Sequence, residues 1–298
     1  MKKIHATDLK TNRRNTKIAI CFLLPNILGF LIFTVIPVIQ SAVMSLFDWP
    51  TFGERKFIGF HNYINLFSSD PLFLRVLGNT AVYVLFYVSL NVILALAVWV
   101  TNGMKGSQLY RSIFFLPQVT PIVATAMIWK WLFLPQYGII NNTLSIFGIP
   151  EINWLGDMKT AMSAIVIMSL WQGFGYNMVI FIAGLNNVPS SQLEAARIDG
   201  ANKGQIFFKV TLPLISPYIF FGVVMTVISS FQVFDQTLIM TNGGPANATN
   251  TIVLYLYNNA FTYLKLGYAS AMAWILFAII MFFTILQMRM QKDLVVYE

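Results

Sequence analysis

Charge is the scarcest resource of this 298-residue chain: charged residues make up 10% of it and hydrophobic ones 57%, where an average soluble protein carries about 25% charged residues. That ratio excludes a water-soluble fold and leaves lipid as the solvent for about half of the chain. One cysteine, Cys21, excludes an internal disulfide and any multi-cysteine metal site, and leaves the redox compartment open. The two histidines, His5 and His61, both fall outside the long apolar runs. No G-x-x-x-x-G-K-[ST] phosphate loop, H-E-x-x-H pair or G-x-S-x-G elbow occurs. The chain is therefore expected to be no enzyme and to bind no metal or cofactor of its own, so that an ATP motor has to be a separate chain.

What is abundant is apolar length. A bilayer core of about 30 Å needs roughly 20 helical residues, and six stretches supply them: Ile18–Leu46, Val76–Thr101, Ser112–Leu134, Ala161–Leu185, Pro217–Met240 and Gly267–Met288. The expected organisation is a tail at 1–17, a six-span domain over 18–288, a long connection at 186–216 and a second tail at 289–298. The first run overshoots the hydrocarbon and needs tilt, an interfacial extension or a bend at Pro37. A cleaved signal is the competing reading of the basic start, and the length of the apolar run and the spans that follow argue against it. Pro117 and Pro121 each remove a backbone donor and should kink the third span.

The positive charges sort by side. Thirteen Lys and Arg lie on the two tails and the connections after spans two and four; five lie on the opposite connections; Lys130 is inside span three. Positive residues near span ends stay cytoplasmic, which places both termini there and explains the net charge of +8 without nucleic acid.

The cytoplasmic connection Asn186–Ser216 reads as ordered. Ser191 and Glu194 have capping-box spacing ahead of a helix ending at Ile198, Gly200 can take a left-handed C-terminal turn, and a second helix over Asn202–Val210 should stop before Leu212-Pro213. A short hairpin joined to spans four and five could pass motion from a soluble partner into the membrane; an amphipathic loop lying on the bilayer is the alternative.

The run Glu194-Ala195-Ala196-Arg197-Ile198-Asp199-Gly200-Ala201, with Phe207, Leu212-Pro213-Leu214 and Pro217, resembles the EAA loop of ABC importer permeases. Phe57-Ile58-Gly59-Phe60-His61-Asn62-Tyr63 with Leu66-Phe67, Asn79-Thr80, Phe115-Leu116-Pro117, Tyr137-Gly138-Ile139-Ile140-Asn141 and Thr241-Asn242-Gly243-Gly244-Pro245 extend the likeness to the carbohydrate uptake branch, in its maltose-F type. The resemblance implies an all-α polytopic membrane protein of the type I importer permease fold, in a prokaryotic cytoplasmic membrane. It implies that Glu194, Ala195, Ala196, Asp199 and Gly200 form the coupling surface for an ATPase. The implied partners are a second, G-type permease, two ABC ATPase subunits that bind ATP and Mg, an extracytoplasmic solute-binding protein and a sugar. The two extra N-terminal spans and large periplasmic insertion of the bigger maltose-F protein are missing. Another ABC substrate, glycerol phosphate or an acidic oligosaccharide, is one alternative; a non-ABC carrier or channel is the other.

A neutral sugar is held by amides, hydroxyls and aromatic faces. In span four, Ser169, Gln172, Gly173 and Tyr176 share one helical face, flanked by Trp171 and Asn177, and Gly173 would leave room for a ligand. In span five, Thr226, Ser229, Gln232 and Gln236 form a polar stripe. These residues line a translocation path or else hydrogen-bond neighbouring helices to one another. Lys130 and Asp235 sit toward the outer ends of their spans and could pair as an outer gate, or each reach the interface separately.

Overall fold

A computed structural model of the chain describes residues 6–97 and 107–295. The expected connection at 102–111 falls largely outside the described residues, as do Lys2, Lys3 and Lys105 of the charge count and the last three residues of the C-terminal tail. The chain divides into two compact units, Met1–Ile64 with Asn259–Trp274 and Asn65–Asn258 with Ile275–Glu298.

In the first unit, α1 (Ala6–Phe30) passes through a widened five-residue turn, Leu31–Val35, into α2 (Ile36–Met44). The expected tail is therefore helical from Ala6 onward. The widened turn sits just before Pro37: Ile36 N donates to Leu31 O, five residues back. Because a proline ring clashes with the carbonyl four residues earlier, the extra residue lets Ile18–Met44 run on as one apolar helix of 27 residues, about 40 Å long. Phe22 and Phe33 on it are 82% and 80% exposed; such side chains need lipid or another chain as solvent. Two short antiparallel strands follow, β1 (Phe47–Asp48) and β2 (Lys56–Phe57), then α3 (His61–Ser68). Asn62 Nδ2 donates to Ser45 O at 2.8 Å and Phe47 O at 2.9 Å, satisfying carbonyls that the end of α2 leaves open. Gly267 N donates to Trp49 O at 3.2 Å, and a Cβ at Gly267 would collide with Phe47 O, so only glycine lets the two segments meet.

The second unit begins with α4 (Pro71–Leu96), capped by Asp70, whose Oδ1 accepts from Leu72 N and Phe73 N. Then come α5 (Ser107–Val119) and α6 (Ile122–Leu132), bent by 101° at their junction. The kink expected from the two prolines is thus a sharp break: Pro117 is accommodated inside α5, and Pro121 starts α6. The short α7 (Ile139–Ile146) leads to α8 (Ala161–Asn186), the most buried helix of the unit. The hairpin helices are α9 (Ser190–Ile198) and α10 (Lys203–Ile206). A widened turn, Phe207–Thr211, leads into α11 (Leu212–Leu214), and α12 (Ser216–Phe231) follows at 68°. The second hairpin helix was expected to end before Leu212-Pro213; instead Leu212 N donates to Phe207 O, five residues back, and the helical path continues past Pro213. The expected fifth span is not continuous either. It breaks after Phe231, and α13 (Asp235–Met240) is a separate helix, followed by α14 (Ile252–Tyr257); α15 (Leu266–Leu294) belongs to the first unit up to Trp274 and to the second from Ile275. Among the described residues four helices are long and apolar enough to cross a membrane, and up to six crossings result if each bent pair is one span.

Close approach rather than apolar area holds these helices together, because lipid tails are as apolar as leucine. A Cβ on Gly222 would lie 2.7 Å from Asn177 Oδ1, and one on Gly184 would lie 2.8 Å from the Tyr218 ring. The stretch between α6 and α8 has one polar hub. Asn141, 6% exposed, donates from Nδ2 to Pro135 O and Ile152 O at 3.0 and 2.8 Å and accepts the Trp154 indole N–H at 2.9 Å. Truncating it strands several buried polar groups, each worth about 1–3 kcal/mol. Asn141→Ala should therefore lower the thermal midpoint of the purified protein in detergent well below that of the exposed-site control Asn142→Ala, which should melt like the parent.

Candidate functional site

Two regions carry the residues singled out from sequence. The first is the hairpin. α9 starts at Ser190 after Pro189, and no side chain caps it, so the Ser191–Glu194 capping box does not form. A capping box does form one helix later: Asn202 Oδ1 accepts from Gln205 N at 2.9 Å, and Gln205 Oε1 accepts from Asn202 N at 2.8 Å. The end of α9 is closed by backbone alone. Gly200 has φ of 81°, its N–H reaches Arg197 O and the Ala201 N–H reaches Ala196 O, both at 3.0 Å. That is the paired bonding by which a glycine in the left-handed region ends a helix. Glu194, Ala195, Asp199 and Gly200 are exposed and Ala196 is half-buried. Beside them Ile198 is 86% exposed and Phe208 67%, a combination typical of a surface that another protein covers. At the base of the hairpin, Asn187 Nδ2 donates to Tyr218 Oη at 2.7 Å, tying the end of α8 to the start of α12.

The second region is the middle of α4, α8 and α12. Asn177, 1% exposed, donates from Nδ2 to Asn91 Oδ1 at 2.6 Å and Thr226 Oγ1 at 2.7 Å, joining all three helices. Thr226 Oγ1 donates in turn to Gly222 O at 2.7 Å. Neither Asn177 nor Thr226 is open to a ligand here. Gln172, 8% exposed, is also committed: its Nε2 donates to Thr120 O at 3.3 Å, a carbonyl at the α5–α6 break. Ser169 is buried at 2%. Nor does Gly173 leave room, because the Tyr87 hydroxyl occupies the place of its missing Cβ. What remains open is a different subset. Trp171 and Tyr176 are 42% and 41% exposed, and Ser229 and Gln232 share an exposed stripe of α12 with Phe221 and Met225. Gln236 lies beyond the break, on α13, and does not continue the stripe.

Lys130 and Asp235 lie on α6 and α13, which pack together. The ammonium donates to Ile239 O at 3.3 Å, one turn past Asp235, so the suggested gate pair is not closed in this structure. Sequence reading missed Asn91, an amide in the middle of a long apolar run. Asn79 entered it only as part of the family likeness; in the structure it donates to Asn247 O at 2.7 Å and Asn250 O at 3.0 Å. Nothing local marks Asn79 as a clamp on residues 168 and 171 positions away.

Known proteins share this architecture. Residues 92–295 match the family described as "Binding-protein-dependent transport system inner membrane component". The chain is 40% identical over 292 residues to the probable ABC transporter permease protein YesP of Bacillus subtilis, covering 96% of this chain and 94% of that one. It is 32% identical over 289 residues to the trehalose/maltose transport system permease protein MalF of Thermococcus litoralis, covering 95% and 96%. The crystal structure of a bacterial ABC transporter involved in the import of the acidic polysaccharide alginate superposes with a TM-score of 0.83. It covers 96% of this chain and 98% of that chain at 23% identity, which speaks for the fold. With bent membrane helices, an exposed hairpin between α8 and α12 and this match over most of its length, the chain belongs to the inner-membrane components of binding-protein-dependent transport systems.

Proposed function

We propose that this chain forms half of the translocation path for a sugar or oligosaccharide in an ATP-driven importer. A second permease completes the path, and two ABC ATPase subunits, which bind the ATP and magnesium, seat the α9 hairpin from the cytoplasm. Both termini are cytoplasmic in this reading, six spans cross the membrane, and the solute-binding protein docks on the opposite face. The observation that carries the coupling role is Ile198: an apolar side chain 86% exposed at the end of a helix whose last turn is closed by the Gly200 and Ala201 N–H groups. The sugar class is supported by the relatives' names and by the absence of Lys, Arg, Asp and Glu among Trp171, Tyr176, Ser229 and Gln232.

The mechanics follow from the ties. ATPase subunits with different affinities for ATP in two conformations bias which one is populated. A displacement of α9 enters α8 and α12 together, because Asn187 and Tyr218 close the base of the hairpin. Asn177 then carries α4 with them through Asn91. The exposed stripe on α12 moves relative to the second permease, and access to the path alternates.

Two outcomes test this. Valine at Gly200 is forced into the left-handed region at about 1–2 kcal/mol, and bulk at Glu194 intrudes on the docking face. Gly200→Val or Glu194→Trp should weaken ATPase retention roughly thirtyfold, as loss of an interface anchor does, and abolish uptake; full assembly and uptake in both would sink the coupling role. Separately, Gln232→Ala and Tyr176→Ala should raise the half-saturating sugar concentration for uptake about fivefold to tenfold with unchanged melting. Asn177→Leu should instead lower the melting temperature; identical behaviour of the two groups would refute the division between path and joint.

A further inference from the structure

Away from the hairpin, α4 and α8 part at their first turns around a groove of 510 Å³. Gly173 meets Tyr87 and Asn177 meets Asn91, so the two helices run parallel and their first turns lie at the same end. The lining is graded along that direction. Arg75, Asn79, Lys159 and Ser163 form the end at the first turns; Val82, Phe86, Leu90, Val166 and Leu170 form the rest. No carboxylate lines it. Arg75 and Lys159 are exposed and make no ion pair among the described residues. The Asp157 carboxylate, two residues from Lys159, accepts the Lys159 backbone N–H at 2.9 Å. The Asn79 amide already donates to Asn247 O and Asn250 O, which leaves the two cations, with the Ser163 hydroxyl beside them, as the groove's available donors.

From these observations we infer that the groove binds one anionic phospholipid, its phosphate between Arg75 and Lys159 and an acyl chain along Val82, Phe86 and Leu90. From Arg75 to Leu90 is about 22 Å of helix, against about 15 Å for the hydrocarbon of one leaflet, so the groove spans a leaflet and its headgroup layer. A sugar would leave the apolar wall unfilled. A helix of another subunit would bury two cations without counter-charge. The groove is open on two helices long and apolar enough to cross a membrane, which sets it at the depth of the lipid; its assignment to the outer leaflet rests on the orientation proposed above.

The test is native mass spectrometry of the full-length protein released from detergent micelles containing phosphatidylglycerol or phosphatidylcholine. One phosphatidylglycerol should be retained in preference to phosphatidylcholine. A cation near an anionic headgroup contributes about fivefold each, so Arg75→Gln with Lys159→Gln should reduce that preference about twenty-five-fold. Arg55→Gln with Lys56→Gln, the same charge change off the groove, should leave it intact. Ser163→Trp should fill the groove and expel either lipid, which keeps the idea testable if the double variant is unstable. An unchanged preference in the double variant, an equal loss in the Arg55/Lys56 control, or crosslinking of Ile167→Cys to another permease chain would overturn it. Retention is measured without transport, so its failure leaves the importer reading standing, and failure of that reading leaves this result interpretable.

Discussion

A backbone carbonyl released by a bent helix inside lipid has no water to turn to, and leaving it unpaired costs several kcal/mol. This constraint orders the whole second unit. Where α5 breaks from α6, Gln172 donates to the freed Thr120 carbonyl and Thr120 Oγ1 donates to Pro117 O at 2.6 Å. Where α12 breaks from α13, Thr251 Oγ1 donates to Val233 O at 3.1 Å and Thr237 Oγ1 to Phe234 O at 2.8 Å. At both of these breaks one patch comes from another segment, Gln172 or Thr251, so each also fixes a tertiary contact. The polar residues that an apolar chain retains are spent first on its own backbone.

That priority explains which parts of the molecule could be read from the sequence. Apolar length announces the helices, and Pro37, Pro117, Pro121 and Pro213 announce trouble in four of them. The outcome at each proline is decided by neighbours. At Pro37 and Pro213 one extra residue per turn absorbs the ring, with Ile36 and Leu212 donating five residues back. At Pro121 the chain turns through 101°, which is tolerable because Gln172 is there to receive the carbonyl. No window around residues 117–121 contains Gln172, so local pattern cannot foresee the angle.

The hairpin was legible for the opposite reason. Its chemistry is local: the Gly200 and Ala201 N–H groups end α9 through bonds to Arg197 O and Ala196 O, all within one stretch of sequence, and its apolar tip, Ile198, is exposed. Two points misled: the second helix runs on past Pro213, and at the start of α9 Ser191 and Glu194 have the right spacing but Pro189 already directs the entry and the capping box goes to Asn202 and Gln205.

The polar faces of α8 and α12 were legible as faces but not as functions, since a helical period locates a stripe without saying what covers it. Thr226 and Ser229 are three residues apart, about 60° around the helix, yet the first is 5% exposed and bound to Asn177 while the second is exposed. The edge of the helix bundle passes between them. Residues on the inner side of that edge, Asn91, Asn177 and Thr226, make α4, α8 and α12 one body; those on the outer side, Tyr176, Ser229 and Gln232, are exposed. In the importer proposed above, joint and half-path share the same two helices, so motion delivered to the hairpin reaches the path without relative sliding of α8 and α12. Selectivity in that reading depends on this half-site together with the one the second permease supplies.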